Sequence, residues 1–172
     1  MNIKLLFPAL LAVCLCGVGC GGSMGDKIAE SNAATAAQEQ SALVEKQIRK
    51  FLDKPTGDLT EADLEKITGL GFAGSEITDI GLKEVAECKN LTRLVLKFTN
   101  ITDEGLKEVA KLKNLTRLDL INTRITDAGL KEIAKLEKLT ELSLYRNRIT
   151  KAQIDELQKA FPNCEISHNS KN

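Results

Sequence analysis

Ile77–Asn100 reads ITDIGLKEVAECKNLTRLVLKFTN, and the next stretch, Ile101–Arg124, reads ITDEGLKEVAKLKNLTRLDLINTR. The two agree at 17 of 24 positions, and a third copy, Ile125–Arg148 (ITDAGLKEIAKLEKLTELSLYRNR), agrees with the second at 15 of 24. A degenerate fourth copy begins at Ile149 with ITKAQIDELQKAFPNCEISHN, and towards the N-terminus the same phase catches Ile67, Leu70 and Phe72. Similarity at one fixed period over this length marks a solenoid, in which each unit buries its apolar face only against its neighbours.

Within each copy the apolar spacing changes halfway. Leu94 and Leu96, Leu118 and Leu120, and Leu142 and Leu144 alternate as in a short strand with one buried face. Leu106, Val109, Ala110 and Leu112 form the stripe of a short helix. Thr102 suits the N-cap of that helix, with Asp103 and Glu104 in the first turn where acids favour the helix dipole. Ile101 and Leu106 are spaced for a hydrophobic staple. The arrangement recurs at Thr78 and Thr126, and in outline at Leu59-Thr60-Glu61-Ala62-Asp63-Leu64. Every copy enters from the same side, so the strands must run parallel. The spacing predicts strands near Leu70, Leu94, Leu118, Leu142 and Ile166, helices after Thr60, Thr78, Thr102 and Thr126, and another near Lys151.

The run Leu91-x-x-Leu94-x-Leu96-x-x-Thr99-x-Ile101 resembles the leucine-rich repeat, with Thr99 and Thr123 where asparagine is usual and Asn147 restoring it. The ITDxGL half resembles the cysteine-containing, F-box-associated branch and bacterial leucine-rich repeat lipoproteins. The likeness covers roughly Leu59 to Asn169. It implies an α/β fold, a short right-handed solenoid with parallel strands on the concave side and helices outside. It implies no particular chemistry. Threonine in place of asparagine argues against a continuous side-chain ladder along the turns, because a hydroxyl has fewer bonding positions than an amide.

The ends read differently. Residues 1–19 have the pattern of a signal peptide, with Lys4 before an apolar run from Leu5 to about Val18. Gly17-Val18-Gly19-Cys20 resembles a lipobox, with Gly17 where leucine is usual, which would make Cys20 a lipidated N-terminus. Ordinary signal cleavage before Cys20 fits the same small residues. Residues 20–42 are rich in Gly, Ser, Ala, Asn and Gln, a composition for a lipid-anchored flexible tether or a loose helix. The repeat domain is expected over 43–172, opened by a capping helix whose apolar face is Val44, Ile48, Phe51 and Leu52. Pro162 should stop the last helix.

Lysine plus arginine equals aspartate plus glutamate at 24 each, so no net basic charge draws the chain to nucleic acid. Cys88 takes the place of Leu112 and Leu136 and reads as a core residue, and Cys164 lies too many strands away to pair with it. His168 is the only histidine, and no triad, HExxH, paired CxxC or phosphate-binding loop is present. The sequence therefore suggests no enzyme, catalytic group, metal, cofactor or small-molecule substrate.

The expected function is a protein-binding or scaffolding module, exported and held at the cell envelope by a lipid anchor on the membrane. A structural envelope lipoprotein without a specific ligand is the alternative. Strand positions turned from the core are the ones that vary between copies: Arg93, Val95 and Lys97, then Arg117, Asp119 and Ile121, then Glu141, Ser143 and Tyr145. These are the candidate protein-binding residues, with Ile121 taken as exposed. Five strands span about 24 Å across and a strand with its following loop adds roughly 10 to 15 Å, a footprint short of the roughly 800 Å² per partner of a standard interface. An unidentified protein partner should therefore bind weakly, or through edges and loops as well, or through several clustered copies.

Overall fold

The computed structural model describes residues 24–169, with side chains from residue 33 on. The expected signal peptide and Cys20 lie outside the described residues. Helix α1 (Met24–Leu52) and the single turn α2 (Glu61–Leu64) lead into β1 (Gly69–Gly71), α3 (Asp79–Val85), β2 (Arg93–Val95), α4 (Asp103–Val109), β3 (Arg117–Asp119), α5 (Asp127–Ile133), β4 (Glu141–Ser143), α6 (Lys151–Ala160) and β5 (Glu165–Ser167). The five strands form one parallel sheet in chain order. Register steps by one repeat throughout, so Leu70, Leu94, Leu118, Leu142 and Ile166 form a single row. Each expected strand and helix start is found, and Leu118 and Leu120 are buried. Cys88 and Cys164 are free, buried thiols. Burial pushes the Cys88 thiol up to about 12, so it behaves as a small apolar side chain.

The copies are joined by a hydrogen-bond ladder that explains the recurring Thr-Asp-x-Gly. The Thr102 N–H donates to Asp79 Oδ1 at 2.9 Å and its hydroxyl to Asp79 Oδ2 at 2.6 Å. Thr126 does the same with Asp103 (2.8 and 2.6 Å), and Thr150 with Asp127 (2.9 and 3.1 Å). Each cap threonine therefore serves twice: its oxygen accepts from its own helix (from the Glu104 N–H at 3.2 Å for Thr102), while its proton goes to the preceding repeat. The glycines follow from this. A Cβ on Gly105 would stand 2.3 Å from Asp79 Oδ1, and one on Gly129 would stand 2.4 Å from Asp103 Oδ1. Only a residue without a side chain lets the carboxylate reach the next turn. A second ladder runs beside the strands, where the hydroxyls of Thr92, Thr116 and Thr140 donate to the carbonyls of Thr68, Thr92 and Thr116 at 2.9 to 3.0 Å.

The row of Ser75, Thr99, Thr123 and Asn147 is discontinuous, as the hydroxyls imply. Ser75, Thr99 and Thr123 each donate to a carbonyl three residues back in their own repeat. Only Asn147 crosses a seam along this row, accepting from the Thr123 N–H (3.1 Å) and donating to the Leu120 carbonyl (2.7 Å).

Helix α1 covers the first repeat with Val44, Ile48 and Leu52 of the expected face, but not with Phe51. It runs without a break across the boundary expected between residues 42 and 43, and buries Ser41, Val44 and Ile48. Its Gln40 imitates the aspartate of a preceding repeat: Oε1 accepts from the Thr78 N–H at 2.8 Å, and Nε2 donates to the Glu76 carbonyl at 3.0 Å. Phe51, expected on the apolar face, is instead 45% exposed. The helix ends over the outer side of β1, and Phe51 rests there above Gly69, whose Cβ would meet the ring edge at 3.7 Å.

The candidate interaction face on the strands

Strand positions alternate between Leu94, Leu118 and Leu142, buried in the core, and side chains turned away from it. The nine candidate residues all lie on that outer face. Arg93, Arg117, Glu141 and Tyr145 are exposed, whereas Val95, Lys97, Asp119 and Ser143 are half-buried. Ile121 is also half-buried rather than exposed. The Phe98 N–H donates to the Ile121 carbonyl and the Asn122 N–H to the Tyr145 carbonyl, both at 2.8 Å, so neighbouring segments close in on both sides.

The face is not electrostatically uniform. Arg117 Nε lies 3.1 Å from Glu141 Oε1, the residue opposite it in register. Asp119 Oδ1 accepts from the Ile121 N–H at 3.1 Å. Among the described residues, no carboxylate pairs with Arg93 or Lys97. Unpaired positive charge therefore gathers on β2 and just beyond it, while the β4–β5 side carries Glu141 and Glu165. Arg93, Val95, Arg117, Asp119, Glu141 and Ser143 line a shallow hollow of about 140 Å³.

Two features of this side escaped sequence reading. Phe98 is 49% exposed in the left-handed region, with φ 58°. It shares its repeat position with Gly74 (φ 64°), Asn122 (φ 53°) and Arg146 (φ 59°), where the chain turns out of each strand. Glycine and asparagine adopt that conformation at little cost, but a phenylalanine there is strained. The available signal was an aromatic residue in a column otherwise held by Gly, Asn and Arg. The second feature is the pair Gly69 and Gly71, which leaves β1 bare and places Phe51 on the same side as the variable residues.

The helix side is plainer, with one exception. Glu108 pairs with Lys111 and Glu132 with Lys135, both at 2.6 Å. Glu84, at the same repeat position, differs because Glu87 stands where those lysines would be. It is half-buried at the α1–α3 seam, and desolvation pushes its carboxyl up to about 7, with the nearby Glu45 charge adding to the effect. The Ser41 hydroxyl pulls the other way, yet in a geometry that leaves both Ser41 Oγ and Glu84 Oε2 buried without a formed hydrogen bond.

Models of leucine-rich repeats match the chain twice, as two copies over residues 113–159 and as one over residues 87–110. No curated protein matches the sequence. Among solved structures, leiomodin-1 actin-binding site 2 superposes with a TM-score of 0.51 at 17% identity, covering 65% of this chain and 76% of that one. A leucine-rich repeat protein of Leptospira interrogans is 26% identical (TM-score 0.44), with 63% of this chain and 33% of that one covered. Internalin C2 of Listeria monocytogenes is 14% identical (TM-score 0.41), with 72% and 91% covered. The 24-residue period and the parallel one-sheet solenoid accord with these matches, which mark leucine-rich repeats over residues 87–110 and 113–159, and repeats of this kind generally serve protein–protein interaction.

Proposed function

We propose that the chain is a protein-binding module held at the bacterial cell envelope through a lipid on Cys20, and that it takes its partner on the outer strand face. The observation that carries this reading is the contrast between the two sides of the solenoid. Lys83, Lys107 and Lys131 hold one helix position unchanged, whereas the matching strand positions run Arg93, Arg117, Glu141 and Lys97, Ile121, Tyr145. An exposed tyrosine beside a half-buried isoleucine, ringed by arginines, has the composition of a small recognition surface, where aromatics and arginine dominate the energy. The narrow footprint keeps the affinity modest.

The test is capture of a partner from envelope extract by the full chain. Tyr145→Ala and Arg117→Glu should weaken capture about tenfold or more without lowering thermal stability, while Lys107→Glu should leave it unchanged. The reverse pattern removes the strand-face assignment. Cys20→Ser should abolish lipid labelling and release the protein into the soluble fraction. A wild-type chain that takes up no lipid label ends the anchor reading.

A further inference from the structure

The outer face of the sheet does not end at Arg93. At β1 two successive outward positions are glycine, so the sheet backbone lies bare there, and α1 stands over it as a wall. Gln47, Lys50 and Phe51 from the helix, with Gly69, Leu70 and Gly71 from the strand, enclose a hollow of about 320 Å³. Its other bank is β2, because Gly69 is in register with Arg93 and Gly71 with Val95. The hollow is thus floored by the glycine backbone, apolar at its wall and far bank (Phe51, Val95) and cationic at its rim (Lys50, Arg93, and Lys97 just beyond Val95). Among the described residues, none of those three cations has a carboxylate partner. One strand further on, Asp119 and Arg117 are already engaged.

Space, apolar walls and unpaired positive charge lie on one side of the same seam. We propose that this hollow is the anchor point of the strand-face interaction, and that it receives a large apolar side chain from an acidic peptide segment of another protein. The apolar group fills the space above Gly69 and Gly71, and flanking carboxylates meet Lys50, Arg93 and Lys97. The bare glycines serve this directly, since any side chain at position 71 would occupy the space. A Cβ on Gly71 would find nothing within 4 Å, so no packing demand of the fold requires glycine there. This contrasts with Gly105 and Gly129, which the Asp–Thr ladder requires. Charge complementarity selects an acidic occupant: a basic segment would meet three like charges, and an uncharged one would leave them unanswered. The proposal rests on the strand-face reading and narrows it to one end of the face and one partner chemistry.

The experiment uses the full chain and a fluorescein-labelled synthetic peptide with one phenylalanine flanked on both sides by aspartate and glutamate, followed by fluorescence polarisation. Expected binding is weak, with Kd on the order of 0.1–1 mM, and falls with added salt. Gly71→Phe, which fills the hollow, should lose at least about tenfold in affinity with an unchanged melting curve, and Lys50→Glu with Arg93→Glu should lose a similar factor. Replacing the peptide's phenylalanine with glycine, or its acids with lysine, should abolish binding. Undiminished binding to Gly71→Phe, or equal binding of the lysine peptide, overturns the proposal. So does binding of anionic phospholipid vesicles in place of the peptide, or self-association that Gly71→Phe removes while the peptide stays unbound. If the peptide fails while Tyr145→Ala and Arg117→Glu still weaken partner capture, the hollow is wrong and the strand-face reading survives.

Discussion

The seam between two repeats and the seam between α1 and the first repeat perform the same task with different means. At α3–α4 and α4–α5, an aspartate of one copy takes two hydrogen bonds from the next copy's cap threonine, and a glycine clears its path. At α1–α3 a glutamine stands in for the aspartate, accepting from the Thr78 N–H but not from its hydroxyl, and Thr78 forms no side-chain cap bond. The same seam holds Ser41 Oγ and Glu84 Oε2 buried without hydrogen bonds, and on its strand side opens the hollow under Phe51. A junction between identical units lets one solution serve at every copy. A junction with a dissimilar helix is solved once, and its leftover polar groups and space are what pH or a ligand can act upon.

The regular seam should break hardest. Leu118→Ala, in the central strand, should cost about 2 to 5 kcal/mol through lost burial and the cavity left behind, measured by urea unfolding. Gly105→Ala should cost about 2 to 4 kcal/mol, because its Cβ must displace a carboxylate that holds two hydrogen bonds. If Gly105→Ala is as stable as the wild type, the ladder does not explain the glycines. Gln40→Ala should cost less, about 0.5 to 1.5 kcal/mol, because it removes two hydrogen bonds at a partly exposed seam. Its amide exchange should quicken in α1 near Gln40 while the central repeats stay protected.

The smallest effect, and the sharpest test of the seam, is on pH. Folding raises the Glu84 carboxyl from 4.5 to about 7. The folded state thus holds the proton more tightly, so this group's contribution is fully present below about 4.5 and is lost as pH rises through about 7. Asp63 acts in the opposite sense. The Lys54 ammonium 2.8 Å away, with further help from Thr60 and Lys66, holds its carboxyl well below the ordinary 3.8. Its contribution is present above that value and is lost as pH falls below it. The melting temperature should therefore fall by about 2–6 °C between pH 5 and pH 8, and Glu84→Gln should flatten that slope. A slope unchanged in Glu84→Gln would assign it to another group.

The sequence alone determined the repeat architecture. A period of 24 residues with leucines at strand spacing and a threonine before each helix admits one economical packing, parallel strands in chain order, because each apolar face can be covered only by the neighbouring copies. It also marked the variable strand positions, since a residue that differs within a row of fixed leucines is one the core does not constrain. What the period could not carry was decided by tertiary contact. Phe51 has the helical spacing of Val44 and Ile48, yet where α1 ends relative to β1 turns it outward over Gly69. Glu84 occupies the same column as Glu108 and Glu132, yet only Glu84 lies beneath α1 and lacks a lysine three residues on. Asp79, Asp103 and Asp127 look like dipole-favouring acids in their own helices, while their hydrogen bonds go to residues 23 positions away. Period reveals what each copy shares with the next. Burial, charge state and free space depend on which non-repeating neighbour lies alongside, and that is settled only when the chain is folded.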